Sequence, residues 1–172
     1  MAVSRRLRFR GEHRLKVDGK GRMSIPARFR RVLEAGDPDW DPESKENCNP
    51  NLVMVSGDPR LDHLEVYTVE EIERIEARID KIKAGPEKTA LTMIYSAGAT
   101  HTNVDDTGRI VIPARFRARF GIGSEAYAVA CLNKFQIWSA DRYVPTDEVS
   151  AEEMSFELPA DPMELLDSLE DL

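Results

Sequence analysis

Val17-Asp-Gly-Lys-Gly-Arg-Met-Ser-Ile-Pro-Ala-Arg-Phe-Arg30 recurs as Val104-Asp-Asp-Thr-Gly-Arg-Ile-Val-Ile-Pro-Ala-Arg-Phe-Arg117, at a constant offset of 87 residues. Ten of the fourteen positions are identical. Average residue frequencies give roughly one match by chance. The chain therefore holds two copies of one structural unit. Each copy reads as strand, tight turn, strand and short helix. Asp18 and Gly21, and their counterparts Asp105 and Gly108, are the turn formers. The glycine supplies a positive φ, and the Asp side chain accepts from backbone amides two residues on. Met23 and Ile25, like Ile110 and Ile112, then share one face of a short strand by the period of two. Pro26 and Pro113 suit a first helical position, where a missing N–H does no harm. Phe29, Val32 and Leu33 share one helical face, as do Phe116 and Phe120, and Gly121 is a helix stop.

Outward from the repeat the pattern loosens. Leu52 to Val55 and Leu64 to Tyr67 read as strands. Ala126 to Leu132 and Phe135 to Trp138 read as a hairpin turning at Asn133-Lys134. Residues 36–51, acidic and holding three prolines, read as a surface loop. Thr68 and Glu71 have the spacing of a capping box. Val69, Ile72, Ile75, Ile79 and Ile82 form one helical stripe, ended by Gly85-Pro86, and a second helix follows over Glu87 to Ser96. The stripe serves either packing onto the chain's own strands or contact between subunits.

The chain has 172 residues, 41% hydrophobic and 32% charged, enough apolar material for a core in one or two domains. Its longest apolar run, Ala126 to Leu132, is far shorter than a membrane span. The basic N-terminus is followed by no apolar segment, so no secretory signal is expected there. Cys48 and Cys131 are far apart and match no metal spacing; a reduced, cytoplasmic setting is the expectation. Net charge is −7, but it is unevenly spread. Residues 1–31 hold eleven Lys/Arg against two Asp/Glu, whereas residues 144–172 hold ten Asp/Glu and no Lys/Arg. With the tail's −10 set aside, residues 1–143 carry +3. Such asymmetry fits a nucleic-acid surface with an acidic appendage, or simply two solvated terminal segments. The tail reads as largely disordered, with a short amphipathic helix over Met163 to Leu172.

Catalytic signatures are missing. The sequence has no GxxxxGK[ST], HExxH or GxSxG, and His13, His63 and His101 are isolated. Asp18 and Asp105 as paired catalytic carboxylates are less economical than the same residues as turn formers. Gly19-Lys20-Gly21 has the composition of a phosphate cradle, but three residues are a weak signal and the second copy carries Thr107 in place of Lys20. Cys131 reads as a buried small residue. No cofactor, no metal and no enzymatic activity are expected.

The arginines are the remaining chemistry. Arg22 and Arg109 follow the turn in both copies, and Lys20 adds charge in the first. Arg28, Arg30 and Arg31 follow on the helix, matched by Arg115, Arg117 and Arg119. Guanidinium forks fit phosphate oxygens and pair bidentately with guanine, and a two-stranded ribbon fits the major groove. The alternative is an Asp–Arg ion pair that fixes each turn, with the helix arginines solvated. A single unit cannot close a core, but two can pair within one chain.

These features resemble the MraZ family, whose repeats belong to the SpoVT/AbrB superfamily. The likeness is carried by Asp18-Gly-Lys-Gly-Arg-Met-Ser-Ile-Pro-Ala-Arg-Phe-Arg and its second copy. Phe9-Arg-Gly-Glu and Asn133-Lys-Phe-Gln-Ile-Trp138 add to it, over roughly residues 8–143. The resemblance implies a mainly β, α+β chain in which two AbrB-like repeats form a swapped-hairpin β-barrel pseudo-dimer. It divides the chain into a basic arm (1–11), a first SpoVT/AbrB-like domain (12–67), connecting helices (68–99), a second such domain (100–143) and an acidic tail (144–172). It implies a sequence-specific DNA-binding regulator, a repressor of its own operon and of the division and cell-wall gene cluster. Such a regulator binds repeated promoter boxes in double-stranded DNA as a ring-like homo-oligomer, in the cytoplasm and on the nucleoid. The DxxGR arginine carries DNA binding in that family, which falls here on Arg22 and Arg109; Lys20, Arg28 and Arg115 are further DNA-contact candidates from the charge pattern alone. An alternative is a protein-interaction module, antitoxin-like, with the acidic tail as the contact. The chain departs from the family pattern in its Arg-rich extension before Phe9, its long acidic loop and Thr107 in place of Lys20.

Overall fold

The computed structural model describes residues 7–170. Arg5 and Arg6 of the expected basic arm, and the last two residues of the expected terminal helix, lie outside them. In the first repeat β1 (Glu12–Lys16) enters the Asp18–Gly21 turn and returns as β2 (Arg22–Ser24). Then come α1 (Ala27–Ala35), β3 (Asn51–Val55) and β4 (Leu64–Thr68). Helices α2 (Val69–Asp80) and α3 (Pro86–Thr92) lead to the second repeat. That repeat follows the same order as β5 (Ala99–Asn103), β6 (Arg109–Val111), α4 (Ala114–Phe120), β7 (Glu125–Cys131) and β8 (Lys134–Ser139). A last helix, α5 (Pro162–Glu170), belongs to the acidic tail. The architecture is α+β and mostly strands.

The repeats exchange strands. The main sheet runs β1-β7-β8-β4-β3-β5, antiparallel throughout. The first strand of each repeat thus pairs with the third strand of the other, and the fourth strands, β4 and β8, meet in the middle. Strands β2 and β6 pair with each other as a separate ribbon, with Met23 opposite Ile110. The expected closed barrel is not formed. Strands β1 and β5 are the open edges of the six-stranded sheet, and the ribbon is a second sheet. The reason lies in strand length: β2 and β6 are three residues each, and one isolated bridge, Val17 to Met23, links the ribbon back toward β1.

Packing follows from the period of two. Leu52, Met54, Leu64 and Val66 point to the main core, where they meet Phe29 of α1, Phe116 and Phe120 of α4, and Met23 and Ile110 of the ribbon. Phe9, Phe29 and Phe135 form an aromatic knot there, with ring centroids 5.0–5.2 Å apart. Val53, Val55 and Tyr67 point the other way and pack under Ile72 and Ile75 of α2. The Ile stripe therefore serves the chain's own sheet, with Ile82 at its end left exposed.

Local chemistry departs from the sequence reading in several places. Pro26 and Pro113 are N-caps, one position before the first helical residue. Thr68 accepts from the Glu71 amide, and the Glu71 carboxylate binds Arg74 and Asn133. The hairpin turns at Leu132-Asn133, one residue earlier than expected, because Lys134 is drawn into β8 opposite Tyr67. Leu132 consequently takes φ 61°. Cys131 is half-buried at the end of β7 rather than enclosed. The tail is also less irregular than expected. It has two 3-10 turns, at Thr146–Glu148 and Ala151–Glu153, before α5. Its start is fixed by Tyr143 and Thr146, which both donate to Glu12.

Phe29 is fully buried at the centre of the knot, so Phe29→Ala is expected to lower stability by about 3–5 kcal/mol. Phe156, 58% exposed in the tail, should change it by less than about 0.5 kcal/mol when cut to Ala. Urea unfolding followed by circular dichroism checks both.

Candidate nucleic-acid interface

The two turns are built alike. Asp18 Oδ1 accepts from the amides of Lys20 (3.0 Å) and Arg22 (2.9 Å), and the Gly21 amide donates to the Asp18 carbonyl (3.0 Å). Asp105 Oδ1 accepts from the amides of Thr107 and Arg109, both at 2.9 Å. Gly21 and Gly108 have φ 83° and 78°. Each glycine carbonyl then accepts from the opposite repeat: Ile112 donates to Gly21 at 2.7 Å and Ile25 to Gly108 at 3.1 Å. A Cβ at Gly21 would lie 2.4 Å from the Ile112 carbonyl oxygen, so the site requires glycine twice over, by φ and by space.

The ribbon has two unlike faces. Met23 and Ile110 point inward and are fully buried. Arg22, Ser24, Arg109 and Val111 therefore share the outer face. Each arginine is held by its own turn: Arg22 Nε lies 2.6 Å from Asp18 Oδ2, and Arg109 Nε lies 3.2 Å from Asp105 Oδ2. Both arginine side chains remain about one-third exposed (35% and 33%). Arg22 and Arg109 border one shallow depression together with Lys16, Ser24 and Glu125. The ion pairs expected as the alternative to nucleic-acid contact are thus present, and they leave the arginines on the outer face. Exposed pairs of this kind add little to stability, so their main effect is to orient the fork rather than to stabilise the fold.

The carboxylates feel this arrangement. The Arg22 amide holds the Asp18 carboxyl below its ordinary range; burial opposes it, and the Arg22 guanidinium and the Lys20 amide add to the lowering. For Asp105 burial pushes upward. Bonds from the Arg109 and Thr107 amides and the Thr107 hydroxyl, with the Arg109 charge, outweigh it and bring the group to about 2.

The copies differ where Lys20 faces Thr107. Thr107 Oγ1 donates to Asp105 Oδ1 at 2.8 Å, tightening the second turn. Lys20 leaves its turn one such bond short and keeps an exposed side chain. Arg28 and Arg115 are also unlike. Arg115 donates to Thr100 Oγ1 and stacks on Phe116, 4.7 Å from the ring centroid. Arg28 lies with Leu7, Arg8, Arg10, Arg31 and Val32. Neither borders the depression that Arg22 and Arg109 share. The other helix arginines are used inside the fold: Arg117 donates to the Ile112 carbonyl, Arg30 pairs with Glu34, and Arg119 holds the carbonyls of Ser56 and Asp58. The sequence reading missed the gathering of Arg8, Arg10 and Arg31 with Arg28. Its only linear signal was charge density, since the segments meet through folding. Among the described residues no group of three or more His, Cys, Asp or Glu side chains is placed to hold a metal ion. No helix among them is long and apolar enough to cross a membrane.

Comparison with known proteins agrees with the repeat. Residues 8–93 and 96–165 match the family described as "MraZ protein, putative antitoxin-like". A protein of Ruegeria pomeroyi called transcriptional regulator MraZ is 46% identical over 163 residues, covering 93% of this chain and 95% of that one. One of Cereibacter sphaeroides with the same name is 42% identical over 168 residues, covering 92% and 95%. One of Rhodospirillum rubrum, again so named, is 34% identical over 134 residues, covering 76% and 79%.

A depressed carboxyl stabilises the fold above its unfolded pKa and loses that contribution as pH falls toward its folded one. For Asp105 the window runs from about 4 down to about 2. Urea midpoints measured across it should fall more steeply for the wild type than for Asp105→Asn.

Proposed function

The chain belongs to the MraZ family, and from that premise we propose that it is a transcription regulator that binds double-stranded DNA sequence-specifically through the β2–β6 ribbon. One observation carries this reading. Arg22 and Arg109, from different repeats, stand on the same solvent face of a ribbon whose other face is locked into the core. A two-stranded ribbon is an element the major groove admits, at a width of about 12 Å. The outward guanidinium forks suit guanine edges and phosphate oxygens. Because Asp18 and Asp105 already orient them, less side-chain freedom is lost on binding. Lys20 adds a phosphate contact on the first turn.

The protein acts by binding and not by catalysis. The family resemblance extends the proposal to repression of its own operon and of the division and cell-wall gene cluster. It also extends it to repeated promoter boxes, a ring-like homo-oligomer, and a cytoplasmic, nucleoid-associated location. A ring would engage several boxes at once, so individually weak contacts gain from high effective concentration.

A second reading concerns the tail. Met154, Phe156, Leu158, Met163, Leu166 and Leu169 are exposed apolar side chains in a segment without a single basic residue. This favours a protein partner for residues 144–172. Deleting that segment should then leave DNA affinity unchanged while removing a co-purifying protein.

Fluorescence anisotropy tests the main reading, using duplex from directly upstream of the protein's own gene against a shuffled duplex. The native duplex should bind more tightly, and affinity should fall steeply with salt. Arg22→Ala should weaken native-duplex binding by about 1–3 kcal/mol without a change in thermal midpoint. Lys20→Ala should weaken both duplexes alike. Full affinity in Arg22→Ala would remove the ribbon from the interface.

A further inference from the structure

Four arginines from two separate segments converge beside α1, and we propose that they form a clamp for DNA phosphates that only the first repeat possesses. The proposal rests on the DNA-binding reading above. Arg8 and Arg10 come from the segment before β1, and Arg28 and Arg31 from α1. With Leu7 and Val32 they line a cavity of about 290 Å³. Arg14, Arg22, Arg30, Arg60, Arg74 and Arg109 each hold a carboxylate. None of the four clamp arginines does so among the described residues.

Four like charges that pair with no carboxylate among the described residues repel one another, and a polyanion relieves that repulsion. Guanidinium forks match phosphate oxygens bidentately. Arg28 follows the end of β2 by four residues, so its Cα lies within about 14 Å of Ser24 even on a fully extended chain. Arg8 and Arg10 precede β1, and the other end of that strand, Lys16, borders the depression of Arg22 and Arg109. The clamp therefore meets phosphates farther along the duplex than those flanking the groove that the ribbon enters.

The second repeat has no such group. At the repeat offset from Arg8, Arg10 and Arg31 stand Tyr95, Ala97 and Ala118. Arg115, the counterpart of Arg28, is engaged by Thr100 and Phe116. Both repeats thus present a reading arginine, and only the first grips the backbone.

The test is a salt series on the full chain and on the triple variant Arg10→Gln/Arg28→Gln/Arg31→Gln, with native and shuffled duplexes and a thermal midpoint for each protein. The slope of log K against log salt should become shallower by about 0.9 for each phosphate that the variant no longer neutralises. The ratio of native to shuffled affinity should persist. An unchanged slope overturns the clamp. A slope difference that emerges only after residues 144–172 are deleted also overturns it, by assigning the arginines to the chain's own acidic tail. If the wild type binds neither duplex, the ribbon reading fails, and sodium tripolyphosphate then decides the clamp. A thermal midpoint raised in the wild type and not in the variant sustains a phosphate site; equal behaviour of the two proteins overturns it.

Discussion

Two backbone hydrogen bonds between the repeats, Ile112 N–H to Gly21 and Ile25 N–H to Gly108, hold the arrangement on which the rest depends. Strands β2 and β6 are too short to stand alone, and each finds in the other its ladder partner. Their pairing sets Met23 and Ile110 into the core and leaves Arg22 and Arg109 outside. It also fixes where α1 and α4 begin, because each helix starts three residues after its ribbon strand ends. Gly21 and Gly108 permit this approach through their positive φ.

The aspartates of the turns work at two levels. Their carboxylates close the turn through backbone amides and hold an arginine by its Nε. The energy of such an exposed pair is small, and its consequence is directional. The same turn is then specialised by one residue. Thr107 returns its hydroxyl to Asp105, and Lys20 keeps its ammonium for the surface. The first repeat is therefore the more cationic copy, an imbalance increased by Arg8, Arg10 and Arg31.

Across the sheet a different interaction joins the halves. Lys134 of β8 pairs with Glu65 of β4 and contacts the Tyr67 hydroxyl. Burial pushes the Glu65 carboxyl up, but His63 at 3.8 Å, Lys134 and Tyr67 pull it down to about 2. Burial, reinforced by the Glu65 charge, drives the Tyr67 hydroxyl upward. A buried charged pair adds little net stability, yet leaving one partner alone is costly. The contact thus penalises any slip of β4 against β8. Helix α2 covers this region, and its Glu71 reaches Asn133 in the turn before β8.

By itself the sequence determined what is local. The motif recurring 87 residues on announced two units. The Asp and Gly positions announced the turns, and the 3.6-residue stripe announced α2, because each depends on neighbours a few residues away. It also singled out Arg22 and Arg109 as candidates, since a duplicated residue stands out without any knowledge of contacts. Strand β4 was harder to assign a face, as it is buried on both sides and shows no alternation. Only the tertiary structure decided which strand pairs with which, that the sheet stays open at β1 and β5, and that Arg28 and Arg115 occupy unlike surroundings. It alone gathered Arg8 and Arg10 with Arg28 and Arg31. Those outcomes rest on contacts between residues far apart in the chain, and strand exchange between two copies of one unit leaves no trace in the linear pattern. Either repeat could have paired with itself or with its twin; the difference is made by the packing of both at once.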